Sequence, residues 1–308
     1  MYALQYAEYG GPEVLQVNHD VPEPHAGPGQ VRVAVHATSV NPYDWKLRAG
    51  FLDGMVPVSF PMIPGQDAAG IVDEVGERVE GVSVGDRVAG LGSATAAEFA
   101  VLDAFALVPQ ALTWTQAGAL GLSVETAERT LNELGVAEGQ TLLIEGGSGG
   151  VGTSAIQLAR RRGARVIATA SEANQDYLRS LGADAVLYGD GMSEGVRALA
   201  PDGVDAVLDC AGSGSLVDLI VLAPEANQVV SVADFTAPAH GARMSGYGER
   251  AWYALADVAR LIEAGEYHVE VCDVFPLERA ADAHAASQTG HARGKRVITV
   301  RADSAGPA

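Results

Sequence analysis

The pattern of hydrophobic and polar positions divides the chain near residue 110. Before that point, short alternating runs such as residues 31–35 lie between turns rich in glycine and proline, a pattern typical of a β-barrel or sandwich. After it, a helical stretch over 113–134 precedes compact apolar runs at 140–145, 165–169, 204–209 and 228–232, with helical periodicity between them. This alternation predicts a parallel sheet with helices on both faces.

Length and charge narrow the class of protein. The 308 residues fit about two domains of roughly 150 residues each. The net charge of −19 argues against nucleic acid or an anionic membrane surface as a partner. It does not exclude a small phosphorylated ligand, because a few local donors can hold a phosphate in an acidic protein. Lys46 and Lys295 are the only lysines, and the other formal positive charges are arginines.

Cysteine usage and hydropathy point to a cytoplasmic protein. The two cysteines, Cys210 and Cys272, cannot form a disulfide framework or a four-cysteine zinc site, and we expect two reduced thiols rather than one bridge. No apolar run reaches the roughly 18 residues needed to span a bilayer. The first residues lack the basic region of a signal peptide.

A glycine-rich turn follows the apolar run at 140–145. Its sequence matches G-x-G-x-x-G between a predicted strand and a predicted helix, the context in which this pattern indicates dinucleotide binding rather than a flexible loop. Gly147 would permit the tight turn, Gly149 would let the backbone approach a pyrophosphate, and Gly152 would let helix and strand pack closely. The helix start favours phosphate through its free N–H groups and dipole. The predicted phosphate-binding residues are Gly147, Ser148, Gly149, Gly150, Val151 and Gly152.

The end of the next strand indicates which dinucleotide binds. NAD sites usually carry Asp or Glu there to hold the ribose 2′-hydroxyl. This chain has Ser171 and Asn174, with Glu172 between them. A hydroxyl and an amide would tolerate a 2′-phosphate, whereas a carboxylate would repel it. We therefore expect NADPH as the cofactor. Glu172 is the argument for NAD.

Seven motifs in a fixed order resemble a known family. They lie at residues 10–15 (GGPEVL), 41–44 (NPYD), 64–72 (PGQDAAGIV), 84–88 (VGDRV), 145–152 (EGGSGGVG), 180–184 (SLGAD) and 294–298 (GKRVI). Together they span the chain from residue 10 to residue 298. The chain resembles the zinc-independent medium-chain dehydrogenase/reductases of the quinone oxidoreductase branch.

The resemblance implies an α/β fold with two domains. A GroES-like β-barrel domain would comprise residues 1–120 and 265–308, and a Rossmann domain with a doubly wound parallel sheet would comprise 121–264. The active site would lie in the interdomain cleft. The implied reaction is NADPH-dependent hydride transfer to a small-molecule quinone or to the double bond of an α,β-unsaturated carbonyl. The resemblance also implies a homodimer.

The resemblance also assigns candidate site residues. Asn41 and Gln66 stand where zinc-dependent relatives carry zinc ligands, and neither is a good one, so no metal site is expected. The candidate catalytic residues are Asn41, Tyr43, Asp44 and Lys46; a turn with a side-chain cap is the alternative for residues 41–44. By family position, Thr126, Tyr188, Gly212 and Val232 would line the cofactor groove, and Lys295 would approach the cofactor.

Two other functions stay open from the sequence. One is a non-catalytic NADP(H)-binding regulator, and the other is a reductase of enoyl thioesters, which the acidic charge disfavours. Residues 125–128 (ETAE) depart from the family pattern, and the physiological substrate is not identified by any motif.

Overall fold

The computed structural model describes residues 1–246 and 249–301. The strands in this part of the chain are β1 Ala3–Gln5, β2 Gln16–Asn18, β3 Val31–Val40, β4 Asp67–Val75, β5 Arg87–Ser93, β6 Phe99–Leu107, β7 Thr141–Glu145, β8 Arg165–Ala170, β9 Asp184–Leu187, β10 Ala206–Asp209, β11 Val229–Ser231, β12 Arg243–Met244, β13 Val271–Pro276 and β14 Lys295–Thr299.

The helices are mostly short. They are α1 Pro42–Arg48, α2 Trp114–Ala117, α3 Gly121–Leu134, α4 Gly150–Arg161, α5 Gln175–Ser180, α6 Met192–Leu199, α7 Leu216–Leu222, α8 Ala254–Glu263 and α9 Ala280–Gln288. Single 3₁₀ turns lie at Pro12–Val14, Glu172–Asn174, Ala226–Gln228, Ala237–His240 and Leu277–Arg279. Within the described residues, no helix combines the length and the apolar character that crossing a bilayer requires.

The chain separates into two compact units. One contains residues 1–122 and the chain from Trp252 onward, and the other contains Ser123–Ala251. The second boundary lies ahead of the predicted residue 265, because α8 packs against β6 and so joins the first unit. Residues 302–308 of the predicted segment lie outside the described chain.

The first unit is built on a six-stranded sheet in the order β13-β14-β3-β4-β5-β6. β6 also pairs with β3, which closes this part of the sheet into a barrel. Val31, Val33 and Val35 alternate along β3 and are fully buried, as the period-two pattern predicts. They pack with residues of β4, β5 and β6, including Val72 and Leu102.

The second unit contains a parallel six-stranded sheet in the order β12-β11-β10-β7-β8-β9. In chain order this is 6-5-4-1-2-3, the doubly wound Rossmann arrangement. The strand order reverses between β7 and β10, and such a switch point is where ligands bind in open α/β sheets. The predicted alternation of strands and helices in this region is confirmed.

The helical stretch predicted over 113–134 forms two helices, α2 and α3. Thr113 caps α2 by accepting a hydrogen bond from the Gln116 N–H at 3.2 Å. Between the helices the chain passes close to the barrel strands: a Cβ on Gly118 would lie 2.9 Å from the carbonyl oxygen of Ala37. A Cβ on Gly121 would lie 2.6 Å from the carbonyl oxygen of Gly90. This close packing interrupts the helix.

Candidate functional site

The glycine-rich turn connects β7 to α4 at the carboxyl edge of the parallel sheet. Gly146 adopts a left-handed φ of +76°, and Gly149 is the N-cap of α4. A Cβ on Gly152 would lie 2.3 Å from the carbonyl oxygen of Gly146, and one on Gly147 would lie 2.8 Å from Cβ of Ala168. At Gly149 the nearest such atom is 3.6 Å away. The tight turn therefore depends on Gly146 rather than Gly147, and the backbone at Gly149 is open to a ligand.

Three predicted cofactor residues meet beside this turn. The Asn174 amide Nδ2 donates to Ser171 Oγ at 3.3 Å and to Ser148 Oγ at 3.5 Å. Ser148 lies just ahead of Gly150 and Val151, which begin α4. Ser171 and Asn174 follow β8, the strand adjacent to β7. The cluster thus presents neutral hydroxyl and amide groups next to the helix start.

The other predicted groove residues lie mainly at the same edge of the sheet. Gly212 follows β10, and its N–H donates to Asp209 Oδ1 at 2.8 Å. Val232 follows β11 and donates to the carbonyl oxygen of Asp209 at 3.0 Å. Tyr188 follows β9 and is 46% exposed. Thr126 lies on α3 and is buried.

The unusual residue Glu125 belongs to a buried ion pair. Its side chain is fully buried on α3, and its Oε1 accepts a hydrogen bond from Arg129 Nε at 2.9 Å. Arg250 Nη1 lies 3.4 Å from Glu125 Oε2. Arg129 Nη2 also lies 3.5 Å from Thr126 Oγ1. These contacts connect α3 to the residues after β12 and explain the departure from the family pattern within the second unit.

Two carboxylates that the sequence did not single out lie at the switch point. Glu145 ends β7, and its Oε1 accepts hydrogen bonds from Ser215 and Ser213 at 2.6 and 2.9 Å. Asp209 ends β10 and accepts one from Ser231 at 2.7 Å. Burial and the nearby Asp209 charge raise the pKa of Glu145 to about 7. The detectable signal was an acid at the end of an apolar strand, directly before the glycine motif.

In the first unit, residues 41–44 form the start of α1. Asn41 is the N-cap, and its backbone N–H donates to Asp44 Oδ2 at 2.7 Å. Burial, together with the charge of Asp67, raises the pKa of Asp44 to about 7. This geometry favours the side-chain cap for Asp44. Burial also raises the pKa of Tyr43, and the Lys46 ammonium lies 5.9 Å from the Trp45 ring centroid.

Asn41 and Lys295 meet at a buried carboxylate, Asp67, the first residue of β4. Asn41 Nδ2 donates to Asp67 Oδ2 at 2.9 Å, and Lys295 Nζ lies 3.1 Å from the same oxygen. Lys295 Nζ also donates to Asn41 Oδ1. Ser39 Oγ and the Leu122 N–H, near the start of α3, donate to Asp67 as well. The side chains of Asn41, Asp67 and Lys295 are all at least nine-tenths buried.

This cluster does not fit a zinc site. Zinc prefers thiolate, imidazole and carboxylate ligands, and a lysine ammonium already contacts the oxygens of Asn41 and Asp67. Among residues 1–246 and 249–301, no three His, Cys, Asp or Glu side chains come together in a way that could hold a metal ion.

Asp67 lies in the motif at residues 64–72 but is not among the predicted site residues. A detectable signal was its position at the start of an otherwise apolar strand, because a buried acid needs a partner. Its partner is Lys295, one of the two lysines of the chain. Their contact joins residues 228 positions apart, so no local pattern could have shown it.

Comparisons with known proteins cover both units. The model of the alcohol dehydrogenase GroES-like domain matches residues 27–113, and that of a zinc-binding dehydrogenase matches 181–298. A chloroplast envelope quinone oxidoreductase homolog of Arabidopsis thaliana is 33% identical over 97% of this chain and 98% of its own. An NADPH-dependent alkenal/one oxidoreductase of the same plant is 32% identical over 97% of this chain and 79% of its own.

A solved structure is similar over the same length. The quinone oxidoreductase of Coxiella burnetii has a TM-score of 0.81 and 32% sequence identity, covering 98% of this chain and 99% of that one. The predicted combination of a GroES-like domain and a Rossmann domain is therefore confirmed by both sequence and structure comparisons.

Proposed function

Because the chain belongs to the medium-chain dehydrogenase/reductase superfamily, in its quinone oxidoreductase branch, we propose that it is an NADPH-dependent oxidoreductase. Its acceptor is a quinone or the carbon–carbon double bond of an α,β-unsaturated carbonyl compound. The single observation that carries the proposal is the dinucleotide turn with its adjacent Ser148, Ser171 and Asn174 cluster. The names of the two plant relatives, a quinone and an alkenal/one oxidoreductase, support the acceptor class.

The residues of the second unit fit NADPH. The N–H groups at the start of α4, with open backbone at Gly149, suit a pyrophosphate. Ser171 and Asn174 offer uncharged donors for a ribose 2′-phosphate, and Glu172 is exposed beside them. Tyr188, Gly212 and Val232 would line the groove along the carboxyl edge, and Thr126 would approach it from α3.

In the first unit, Asn41 is the donor that the fold positions best. Its planar amide carries two Nδ2 hydrogens, and Asp67 accepts one of them. We propose that the other donates to the carbonyl oxygen of the acceptor, where negative charge grows during reduction. The bound reduced nicotinamide supplies the hydride. Tyr43 and Lys46, on the same short helix, are further candidates for contact with the acceptor.

We propose that the reaction uses no zinc. The donor set around Asn41 contains a lysine ammonium, and Gln66 adds only an amide. An acceptor already activated by conjugation needs less polarisation than a simple ketone or alcohol, so hydrogen-bond donors would suffice.

The experiment that tests the proposal is an oxidation assay. NADPH and NADH consumption is followed at the nicotinamide absorbance with panels of quinones, 2-alkenals, enones and enoyl thioesters. We expect turnover with NADPH on at least one quinone or enone, and little with NADH. Tight NADPH binding without turnover on any acceptor would contradict the proposal and favour a binding protein. Preference for thioesters would favour the enoyl-thioester reductase.

We further propose a homodimer in the cytoplasm. Val217 and Val221 of α7, in the second unit, are exposed. Exposed apolar side chains on one helix suit association with a second copy. The free thiols of Cys210 and Cys272 suit a reducing compartment. Light scattering coupled to size exclusion, and fractionation of the source cells, check the two proposals.

A further inference from the structure

The contacts of Lys295 differ from the role that its motif suggests. Both described polar contacts of its ammonium go to side chains of the first unit, Asn41 Oδ1 and Asp67 Oδ2. The ammonium is buried, so its contacts are made at low local dielectric, where they are strong.

The two neighbours determine how the Asn41 amide is oriented. An ammonium only donates hydrogen bonds, so the amide atom facing Lys295 must be the oxygen. A carboxylate only accepts, so the atom facing Asp67 must be the nitrogen. The terminal torsion of asparagine is broad and sets no orientation by itself. Lys295 and Asp67 together therefore fix the amide plane and the direction of the second Nδ2 hydrogen.

The contact with Lys295 strengthens that hydrogen as a donor. Lys295 draws electron density toward Oδ1, which makes the N–H groups of the amide more positive, and chained hydrogen bonds polarise each other in this way. Asp67 is itself fixed, since Ser39 and the Leu122 N–H also donate to it. Four donor groups, from β3, the N-cap of α1, α3 and β14, thus make five hydrogen bonds to Asn41 and Asp67.

We infer that Lys295 and Asp67 are positioning residues that aim and polarise the Asn41 amide toward the acceptor carbonyl, and that Lys295 does not hold the cofactor. This inference rests on the proposed function, because it assigns Asn41 the acceptor contact. It deepens that function by adding Asp67 to the site and moving Lys295 from cofactor binding to acceptor activation.

The test is a double-mutant cycle on the full-length protein with the best acceptor from the panel. N41A is expected to lower kcat about 100-fold, the usual loss for one donor to a developing oxyanion. K295M is expected to lower kcat about 10-fold while the Kd of NADPH, measured by fluorescence titration, stays unchanged. In the N41A background, K295M is expected to change kcat less than about 2-fold, because it acts through Asn41.

The matched control is R296M. Arg296 is the next residue of β14 and pairs with Asp273 at 3.1 Å, away from Asn41. The R296M variant should leave kcat and the Kd of NADPH unchanged. K295M leaves Asp67 buried without its ammonium partner and could for that reason fail to fold. In that case D67N/K295M, which removes both charges, replaces K295M in the cycle.

Three results decide the matter. An NADPH Kd that rises in K295M, or losses that multiply in N41A/K295M as for independent sites, overturns the positioning role while the proposed function stands. A wild-type protein that reduces no acceptor overturns the proposed function and this role with it. The positioning role is supported if K295M keeps the NADPH affinity of the wild type and the kcat losses of N41A and K295M do not multiply in N41A/K295M.

Discussion

At the scale of single residues, the second unit carries an acid whose ionisation opposes folding. Glu145 is 2% exposed, and burial raises its pKa from an ordinary 4.5 to about 7. The folded state therefore binds a proton more tightly than the unfolded state between these values. Stability falls as pH rises through this window, and the penalty persists above it. Asp44 in the first unit acts in the same direction.

The substitution E145Q should reduce this pH dependence. Glutamine resembles the protonated acid, so E145Q should be more stable than the wild type at pH 8, by up to about 3 kcal/mol for the full shift. The two proteins should converge near pH 4.5. Urea unfolding at several pH values measures this, with the exposed Glu138→Gln as the control. Equal slopes for E145Q and wild type would show that Glu145 ionises normally.

We expect the choice of cofactor to depend on one residue, Ser171. Ser171→Asp places a carboxylate in the cluster with Ser148 and Asn174, where it would repel a 2′-phosphate. We expect the Kd of NADPH to rise at least about 10-fold, equivalent to about 1.4 kcal/mol, with a smaller effect on NADH. Isothermal titration with both cofactors measures the ratio, and E172Q at the exposed neighbour is the control. An unchanged NADPH affinity would place Ser171 away from the 2′-phosphate.

At the scale of elements, the turn between β7 and α4 separates packing from ligand contact. Gly152 is required because a Cβ there would collide with the backbone of the turn, only 2.3 Å from the Gly146 carbonyl oxygen. Gly149, three residues earlier, has no such neighbour within 3.6 Å. The same motif therefore contains one glycine that packing requires and one whose backbone is open to the proposed cofactor.

Alanine substitutions at Gly149 and Gly152 should separate the effect on stability from the effect on cofactor binding. G152A forces α4 away from the turn, and we expect it to lower the free energy of unfolding by about 1–3 kcal/mol. G149A should change stability by less than about 1 kcal/mol while weakening NADPH binding. Thermal unfolding and cofactor titration of both variants provide the comparison. Loss of stability in G149A with normal cofactor binding would reverse this assignment.

The elements also show what a sequence can predict. The period-two pattern located β3, and the alternation after residue 110 located the parallel strands, because both patterns reflect burial along one element. The break between α2 and α3 was missed, since it arises from Gly118 and Gly121 passing the barrel strands. The Asp67 contacts were missed for a similar reason, because their partners come from distant segments. Ser148, Ser171 and Asn174 were each predicted as cofactor residues, Ser148 from the glycine motif and the other two from the end of the next strand. Their mutual side-chain contacts were not predicted.

At the scale of the whole molecule, the charge of −19 sets an unusual condition for binding a nucleotide phosphate. The long-range field repels the cofactor, and the Ser148, Ser171 and Asn174 groups that we propose to contact it are uncharged. At 0.1 M salt the electrostatic field of the protein is screened over about 10 Å. Hydrogen bonds from uncharged donors to the cofactor are weakened little by the same salt.

NADPH affinity should therefore not fall with salt. Between 50 and 500 mM NaCl the Debye length falls from about 14 Å to about 4 Å. Over this range we expect an unchanged or lower Kd and a faster association rate. Stopped-flow fluorescence at a series of NaCl concentrations measures both. A Kd that rises steeply with salt would indicate an arginine or lysine at the phosphates.

The contact between Lys295 and Asn41 spans 254 positions along the chain and has a consequence for biosynthesis. During translation, Asp67 leaves the ribosome long before its ammonium partner, and β3 leaves it long before β14, its antiparallel neighbour. The first unit must wait with an uncompensated acid and an unpaired strand edge while the second unit, a continuous segment, is synthesised and can fold. If Asn41 contacts the acceptor as proposed, the acceptor site is completed last, and we expect a nascent chain arrested before residue 295 to bind NADPH without reducing an acceptor.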